Sequence, residues 1–391
     1  MTEQDIRIEK IRRAMESENA DACVITSNVN LWYTTDQLIM GCLYIPAQGE
    51  PLLFVRRPVG LSGDRIFYIR KVEQLVEILN ERGVPLPHRV MLEGDILTHA
   101  EWLRYETLFA PATAVNGSPA IRQVRGVKTD AELEIIRRSG KIHADVYRKI
   151  PGLYRSGMTD LELSIEIERE MRLAGNLGIL RIFGQSMEVF FGSVLTGDNA
   201  SAPSPYDFAL GGKGVHPSLP VGSDNRVLRH GTTVMIDVGG NFEGYLTDMT
   251  RMYSIGRLPE RGYAAHQTAL DIQNEIAVMT KPGVSCEDMY NLAVKMAEQA
   301  GLADCFMGSR QQARFIAHGV GVELNELPVV GARSRDIFTP GMVLALEPKF
   351  VLEGIGAVGI ENTFIVTDKG LEKATTLSND EGIVDLEQGL K

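Results

Sequence analysis

The stretch HGTTVMIDVGGNFEGYLTDMT, residues 230–250, and its echo PGMVLALEPKFVLEGIGAVGIENT, residues 340–363, decide how this chain folds. Each places a carboxylate six residues after a glycine, Asp237 after Gly231 and Glu347 after Gly341. Each then passes a Gly-containing turn to a second carboxylate, Asp248 or Glu361, followed two residues on by Thr250 or Thr363. The apolar runs TTVMI and MVLAL read as buried strands. Four acids on such strands are costly to bury unless positive charge sits among them, so the pattern points to a metal centre.

Hairpin geometry supports that reading. Directly opposed residues share a face, with Cβ atoms about 4.5–5.5 Å apart. If Asp237 opposes Asp248, the first turn centres between Phe242 and Glu243; if Glu347 opposes Glu361, the second centres on Gly354. Both centres fall in turn-forming sequence. Each hairpin then holds two like charges side by side, which repel unless a cation shares them or one is protonated.

The length of 391 residues suggests two domains. With 44% hydrophobic and 23% charged residues, the composition is that of an ordinary globular protein. A net charge of −11 without any Lys/Arg cluster argues against nucleic-acid or anionic-membrane partners. The amino terminus MTEQDIRIEKIRR lacks the apolar segment of a signal peptide. No stretch reaches the roughly 18 apolar residues of a membrane span. Cys23, Cys42, Cys286 and Cys305 show no paired spacing and read as reduced thiols, which makes the cytoplasm the expected location.

Residues 1–125 alternate strand-like segments (DACVIT, PLLFVR, RVMLEG) with a helix-like one (VEQLVEILNERG), the pattern of a small α/β domain. The polar, turn-rich NGSPAIRQVRGVKT marks the boundary with a second domain over 126–391. There a helix is predicted to start at a capping box of Thr129 and Glu132, with Ile135, Ile142 and Val146 as its apolar stripe and Pro151 ending it. This second domain is internally repeated. SGMTDLELSIEIEREMRLAGNLG and PGVSCEDMYNLAVKMAEQAGLAD align at an offset of 126 residues, with Thr159 and Ser285 as helix N-caps. The acids recur at similar intervals, Glu347 lying 110 residues after Asp237 and Glu361 113 after Asp248. The expected architecture is α+β: two helix-plus-hairpin units related by a pseudo-two-fold, one carboxylate pair from each facing a shared pocket.

Four carboxylates leave room for a nitrogen donor. His318, in FIAHGVGVELNELP, follows an apolar run and precedes a Gly-x-Gly where backbone can approach closely. Four oxygens and an imidazole suit Mn²⁺, Co²⁺, Fe²⁺ or Zn²⁺, with a shared carboxylate bridging two ions about 3.5–4 Å apart. His216 lies in a Gly/Pro-rich loop, GGKGVHPSLPVGS, of the kind that touches substrate. His88, His99, His143, His230 and His266 lack a motif and read as solvated or packed.

The ordered set Asp237, Asp248, His318, Glu347 and Glu361, within IDVGGNFEGYLTDMTR, HGVGVELNELP and ALEP…GIENT, resembles the pita-bread metallohydrolases over the whole chain. That group includes methionine aminopeptidase, aminopeptidase P, prolidase and the metal-free creatinase; retention of all five residues argues against the last. The resemblance implies a creatinase-like amino-terminal domain and a pita-bread catalytic domain holding two divalent ions, manganese foremost. It implies that Asp237 and Asp248 bind one ion and share Asp248 with the second. His318 and Glu347 would hold that second ion, Glu361 would bridge both, and Glu347 would relay a proton. His216 would sit near the substrate amide, and a homodimer is the family expectation. Three positions depart from the family pattern. Asn325 stands where peptidases of the group usually carry a second histidine, Gly359 where Xaa-Pro enzymes carry arginine, and Arg314 where aminopeptidase P often has histidine. Asn325 and Arg314 are carried forward as substrate-contacting candidates.

The function implied is hydrolysis of short peptides at Xaa-Pro bonds, as by a prolidase or an Xaa-Pro aminopeptidase. Asn325 and Gly359 motivate an alternative, a hydrolase or lyase of the same fold acting on a small non-peptide amide or amidine. A catalytically silent binding module is a third reading, against which the intact ligand set counts.

Overall fold

A computed structural model describes residues 1–184, 187, 189, 191–377 and 381–388. The chain divides into two compact units, Met1–Arg125 and Gly126–Lys391. Among the described residues no helix is long and apolar enough to cross a membrane.

The first unit is a six-stranded mixed sheet flanked by helices. Ala22–Ile25 lies inside it, antiparallel to Met40–Pro46 and parallel to Arg89–Leu92. Ile8, Ile11, Cys23, Ile25 and Met91 form one buried cluster, and Val24, Phe54, Leu75, Leu79 and Phe109 form another. The strand-like segments read from sequence appear at Ala22–Ile25, Leu52–Arg57 and Arg89–Leu92, and the helical one at Gln74–Glu81. The polar, turn-rich segment read as the domain boundary holds the division between the units and contains a helix, Ser118–Gly126. Its polar letters conceal a single apolar face, on which Ile121 is fully buried, and Arg125 Nη1 donates to Asn30 Oδ1 at 2.6 Å.

The second unit is the α+β pita-bread arrangement, built twice. In the first half the helices Asp130–Tyr147 and Asp160–Leu173 pack on Thr233–Phe242 and Tyr245–Ser254 through Tyr147, Leu163, Ile167, Ile236 and Met249. In the second, Glu260–Met279 and Cys286–Gln299 pack on a five-stranded sheet through Ile272, Ile276, Met289, Leu344 and Phe364. The repeat is visible in its caps. Thr159 accepts a hydrogen bond from Glu162 N and Ser285 from Asp288 N, and glycines at positive φ, Gly157 and Gly283, precede the two caps. The capping box at Thr129 and Glu132 also forms. That helix buries Leu133, Ile136, His143 and Tyr147, leaving Ile135 and Ile142 half-buried, and it ends at Tyr147, ahead of Pro151.

The first hairpin corrects the expected register. Asp237 opposes Thr250 and Asp248 opposes Gly239, because the turn is the two-residue Glu243-Gly244 with φ of +54° and +83°. A turn centred one residue earlier would require a positive φ of Phe242, whereas Gly244 adopts it freely. The displacement is two residues along the partner strand, so both acids stay on one face. The second hairpin keeps the expected register about Gly354 in two separate ladders. Val343–Leu346 pairs with Asn362–Thr367, and Lys349–Leu352 pairs with Gly356–Gly359. Between these ladders Glu361 forms a bridge to Thr250, joining the halves.

Candidate metal centre and active site

The bridge between Thr250 and Glu361 gathers the acids. Asp237 opposes Thr250 on one side, Glu361 opposes it on the other, and Thr250 Oγ1 donates to Glu361 Oε2 at 2.6 Å. Asp248 is buried, held through its backbone by Thr363 Oγ1, which accepts from Asp248 N at 2.8 Å and donates to the Asp248 carbonyl oxygen at 2.9 Å. The paired threonines thus fasten each hairpin to the other. His318 enters from Phe315–Gly319, antiparallel to Val343–Leu346, with Nδ1 3.2 Å from the Gly319 carbonyl oxygen. Its Nε2 lies 3.6 Å from Glu347 Oε1, 3.9 Å from Asp248 Oδ2 and 4.0 Å from Glu361 Oε1. All five residues singled out in the sequence therefore converge. Donor atoms of Asp248, His318 and Glu361, and of Asp237, Glu347 and Glu361, lie within 4.8 Å of one another in two clusters.

One further residue shares the site. Lys349, two positions after Glu347, is fully buried, and its Nζ donates to Glu347 Oε2 at 2.6 Å, Asp237 Oδ2 at 2.9 Å and Glu361 Oε2 at 3.0 Å. Period-two alternation puts residues two apart on the same face of a strand, so the signal stood in the letters E-P-K. Burial would lower the lysine's pKa, but the charges of Asp237, Glu347 and Glu361 outweigh it and hold the group well above its ordinary value. Asp248 is pushed well above the usual carboxylate range by burial and by the charges of Glu361 and Asp237. Asp237 is raised too, burial prevailing over the neighbouring ammonium.

His318 Nε2 faces Asp248 Oδ2, Glu347 Oε1 and Glu361 Oε1, and donors of Asp248, His318 and Glu361 lie close enough together to hold a divalent ion. The expectation of a second ion meets an occupied place. The three residues of the other cluster, Asp237, Glu347 and Glu361, already bond the ammonium.

The departures from the family pattern are also placed. Asn325 Oδ1 accepts from Phe183 N at 2.7 Å, and its Nδ2 donates to the Phe183 carbonyl at 2.8 Å, so its amide clamps a neighbouring loop. His216 is exposed, and its Nδ1 accepts from Ser218 N at 3.1 Å within its own turn. No hydrogen bond joins it to the carboxylates among the described residues. Arg314 lines a cavity of about 270 Å³ with Tyr206, Phe208 and Gln311. Gly359 lies directly opposite Lys349.

A pita-bread fold with acids and an imidazole converging on its central strands defines a metallopeptidase-type centre. The chain belongs to the Metallopeptidase family M24, which residues 134–368 match, while residues 7–127 match the Creatinase/Prolidase N-terminal domain. Similar proteins include an Xaa-Pro dipeptidase of Pyrococcus furiosus, 24% identical over 94% of this chain and 97% of that one. An uncharacterised peptidase of Bacillus subtilis is also 24% identical, over 93% and 96% of the two chains. Among solved structures, an Xaa-Pro dipeptidase from Bacillus anthracis superposes with a TM-score of 0.79 at 22% identity, covering 97% of this chain and 99% of its own. An X-Pro aminopeptidase from Thermotoga maritima gives 0.77 at 20% identity, with the same coverage. These likenesses bear out the two-domain pita-bread fold and the reading of the chain as an enzyme of a peptidase family that uses divalent metal.

Proposed function

We propose that the chain hydrolyses short peptides at Xaa-Pro bonds. The observation that carries the reading is the convergence of Asp248, His318, Glu347 and Glu361, with Nε2 of the histidine within 3.6–4.0 Å of all three carboxylates. These residues would hold a divalent ion, Mn²⁺ before Co²⁺, Zn²⁺ or Fe²⁺, which when bound supplies a Lewis acid and makes water acidic. Glu347 Oε1 faces His318 Nε2 while Oε2 is held by Lys349. The carboxylate is therefore fixed in orientation, and Glu347 is the group that would take a proton from the attacking water and pass it to the leaving amine. Gly319 O, 3.2 Å from Nδ1, orients the His318 ring toward the acids. The similarity to dipeptidases of Xaa-Pro substrates supports the bond type. The buried or half-buried cysteines, none in a disulfide, support a cytoplasmic setting, in which we place the enzyme as a homodimer.

The test is turnover of Xaa-Pro dipeptides and Xaa-Pro-Yaa tripeptides after reconstitution with Mn²⁺. Dipeptide cleavage well above blank is expected, and silence across the panel would sink the peptide reading. A second reading has its own observation. Asn325 is engaged with the Phe183 backbone and Gly359 offers no charge, so two groups expected to grip a peptide are absent. Turnover of small amides or amidines with silence on peptides would favour that reading.

A further inference from the structure

Lys349 is the one cation bonded directly to three of the cluster's acids among the described residues. Its ammonium has three hydrogens, and three different carboxylates receive them. Carboxylate oxygens of the same three residues, Asp237, Glu347 and Glu361, lie within 4.8 Å of one another, close enough to hold a metal ion. The lysine side chain has 0% exposure, so in this position it has no water to replace its three carboxylate partners. An ion entering the triad would take the ammonium's three partners, so the buried lysine would have to stay charged without them or give up its proton, and either is costly in a protein core.

Gly359 lies beside the lysine. It faces Lys349 across the short ribbon, and a Cβ built on it would lie 2.6 Å from the Pro348 carbonyl oxygen, 2.7 Å from Lys349 Cα and 2.8 Å from Lys349 Cγ. A side chain at 359 would meet the backbone of Pro348 and Lys349 as well as the lysine stem, so this close approach of the two strands calls for glycine, where the resemblance leads one to expect arginine.

We propose that Lys349 is a built-in cation standing in for one of two metal ions. The chain then takes a single divalent ion on Asp248, His318, Glu347 and Glu361, and Asp237 serves the lysine. The inference rests on reading this cluster as a metal centre and is independent of the peptide substrate. With all three donors spent on carboxylates, Lys349 has none left for substrate and acts as a positioning residue, fixing Glu347 and Glu361.

Elemental analysis after equilibration with excess Mn²⁺ and desalting tests this. The expected content is one ion per wild-type chain, two per Lys349→Ala chain and one per Asp237→Asn chain. Two ions in the wild type, or none, overturns the proposal, as does a folded Lys349→Ala protein that gains no ion. If Lys349→Ala does not fold, Asp237→Asn decides: an undiminished content supports the assignment, and a lost ion overturns it. Failure of the peptide panel would leave these counts untouched, so the two readings fail separately.

Discussion

The two carboxylate hairpins follow one plan and diverge at the residue two places beyond the first acid. In the first hairpin that residue is Gly239, facing Asp248; in the second it is Lys349, facing Gly359. The first hairpin is a continuous ladder from Thr233 paired with Ser254 to Phe242 paired with Tyr245. The second breaks at Glu347-Pro348, since proline has no N–H to continue a ladder. That break lets Glu361 leave its own hairpin and exchange backbone hydrogen bonds with Thr250, at 3.4 and 3.3 Å. Among the described residues, the first hairpin bonds no cation of its own to the site's carboxylates, its Arg251 donating to backbone oxygens of Thr250 and Glu361, while the second brings Lys349 to them.

The sharpest way to break this comparison is at Glu347, whose two oxygens face different cations. Oε2 bonds Lys349, and Oε1 lies 3.6 Å from His318 Nε2. Glu347→Gln should lower kcat by about 10²-fold or more, the range for loss of a general base. Steady-state kinetics on the reconstituted enzyme, beside a melting curve confirming the fold, would measure it. Retention of more than about a tenth of the wild-type rate excludes Glu347 as the proton carrier.

The glycines offer the next test. At Gly359 an added methyl meets backbone and the lysine stem, whereas at Gly239 it meets the end of a flexible side chain, Leu180 Cδ1 at 2.8 Å. Gly359→Ala should therefore destabilise the chain by about 1–3 kcal/mol, as overpacking typically does, and Gly239→Ala by less. Urea unfolding of both variants measures the difference. Equal losses would mean that the short ribbon opens enough to admit a methyl at 359 and that the close approach there is not what glycine is needed for.

This contrast also marks where the letters stopped being readable. The duplicated helices, their caps and the five converging residues follow from periodicity and spacing, which short-range chemistry enforces. The register of the first hairpin turned on whether Gly244 or Phe242 took the positive φ, a preference of about one residue in the turn. Lys349 was on the page, two residues from Glu347 on the same face, and alternation alone would have placed it among the acids. Asn325 was less accessible: its position could be counted, but its hydrogen bonds to Phe183 join residues 142 apart and depend on how a loop returns.

The smallest effect separates the halves through their buried histidines, His143 on the first helix of one and His266 on the first helix of the other. His143 Nδ1 lies 3.0 Å from Thr247 Oγ1, beside Asp248, while His266 Nε2 lies 2.8 Å from the Glu381 carbonyl oxygen. Burial, aided by the charge of Arg251, lowers His143 from the ordinary 6.5 to about 3. Burial likewise lowers His266, though the Glu381 carbonyl opposes the shift. A depressed base stays neutral in the folded chain while the unfolded chain takes up a proton, so the unfolded state binds more protons as pH falls. The stability due to His143 is therefore complete above 6.5 and drains away between there and about 3. His143→Gln should flatten the fall in urea midpoint between pH 7 and pH 4.5, and adding His266→Gln should flatten it further. An unchanged slope in the single variant would assign the acid sensitivity to groups other than His143 and would erase this difference between the halves; Asp237 and Asp248, both raised, gain stability as pH falls and cannot supply it.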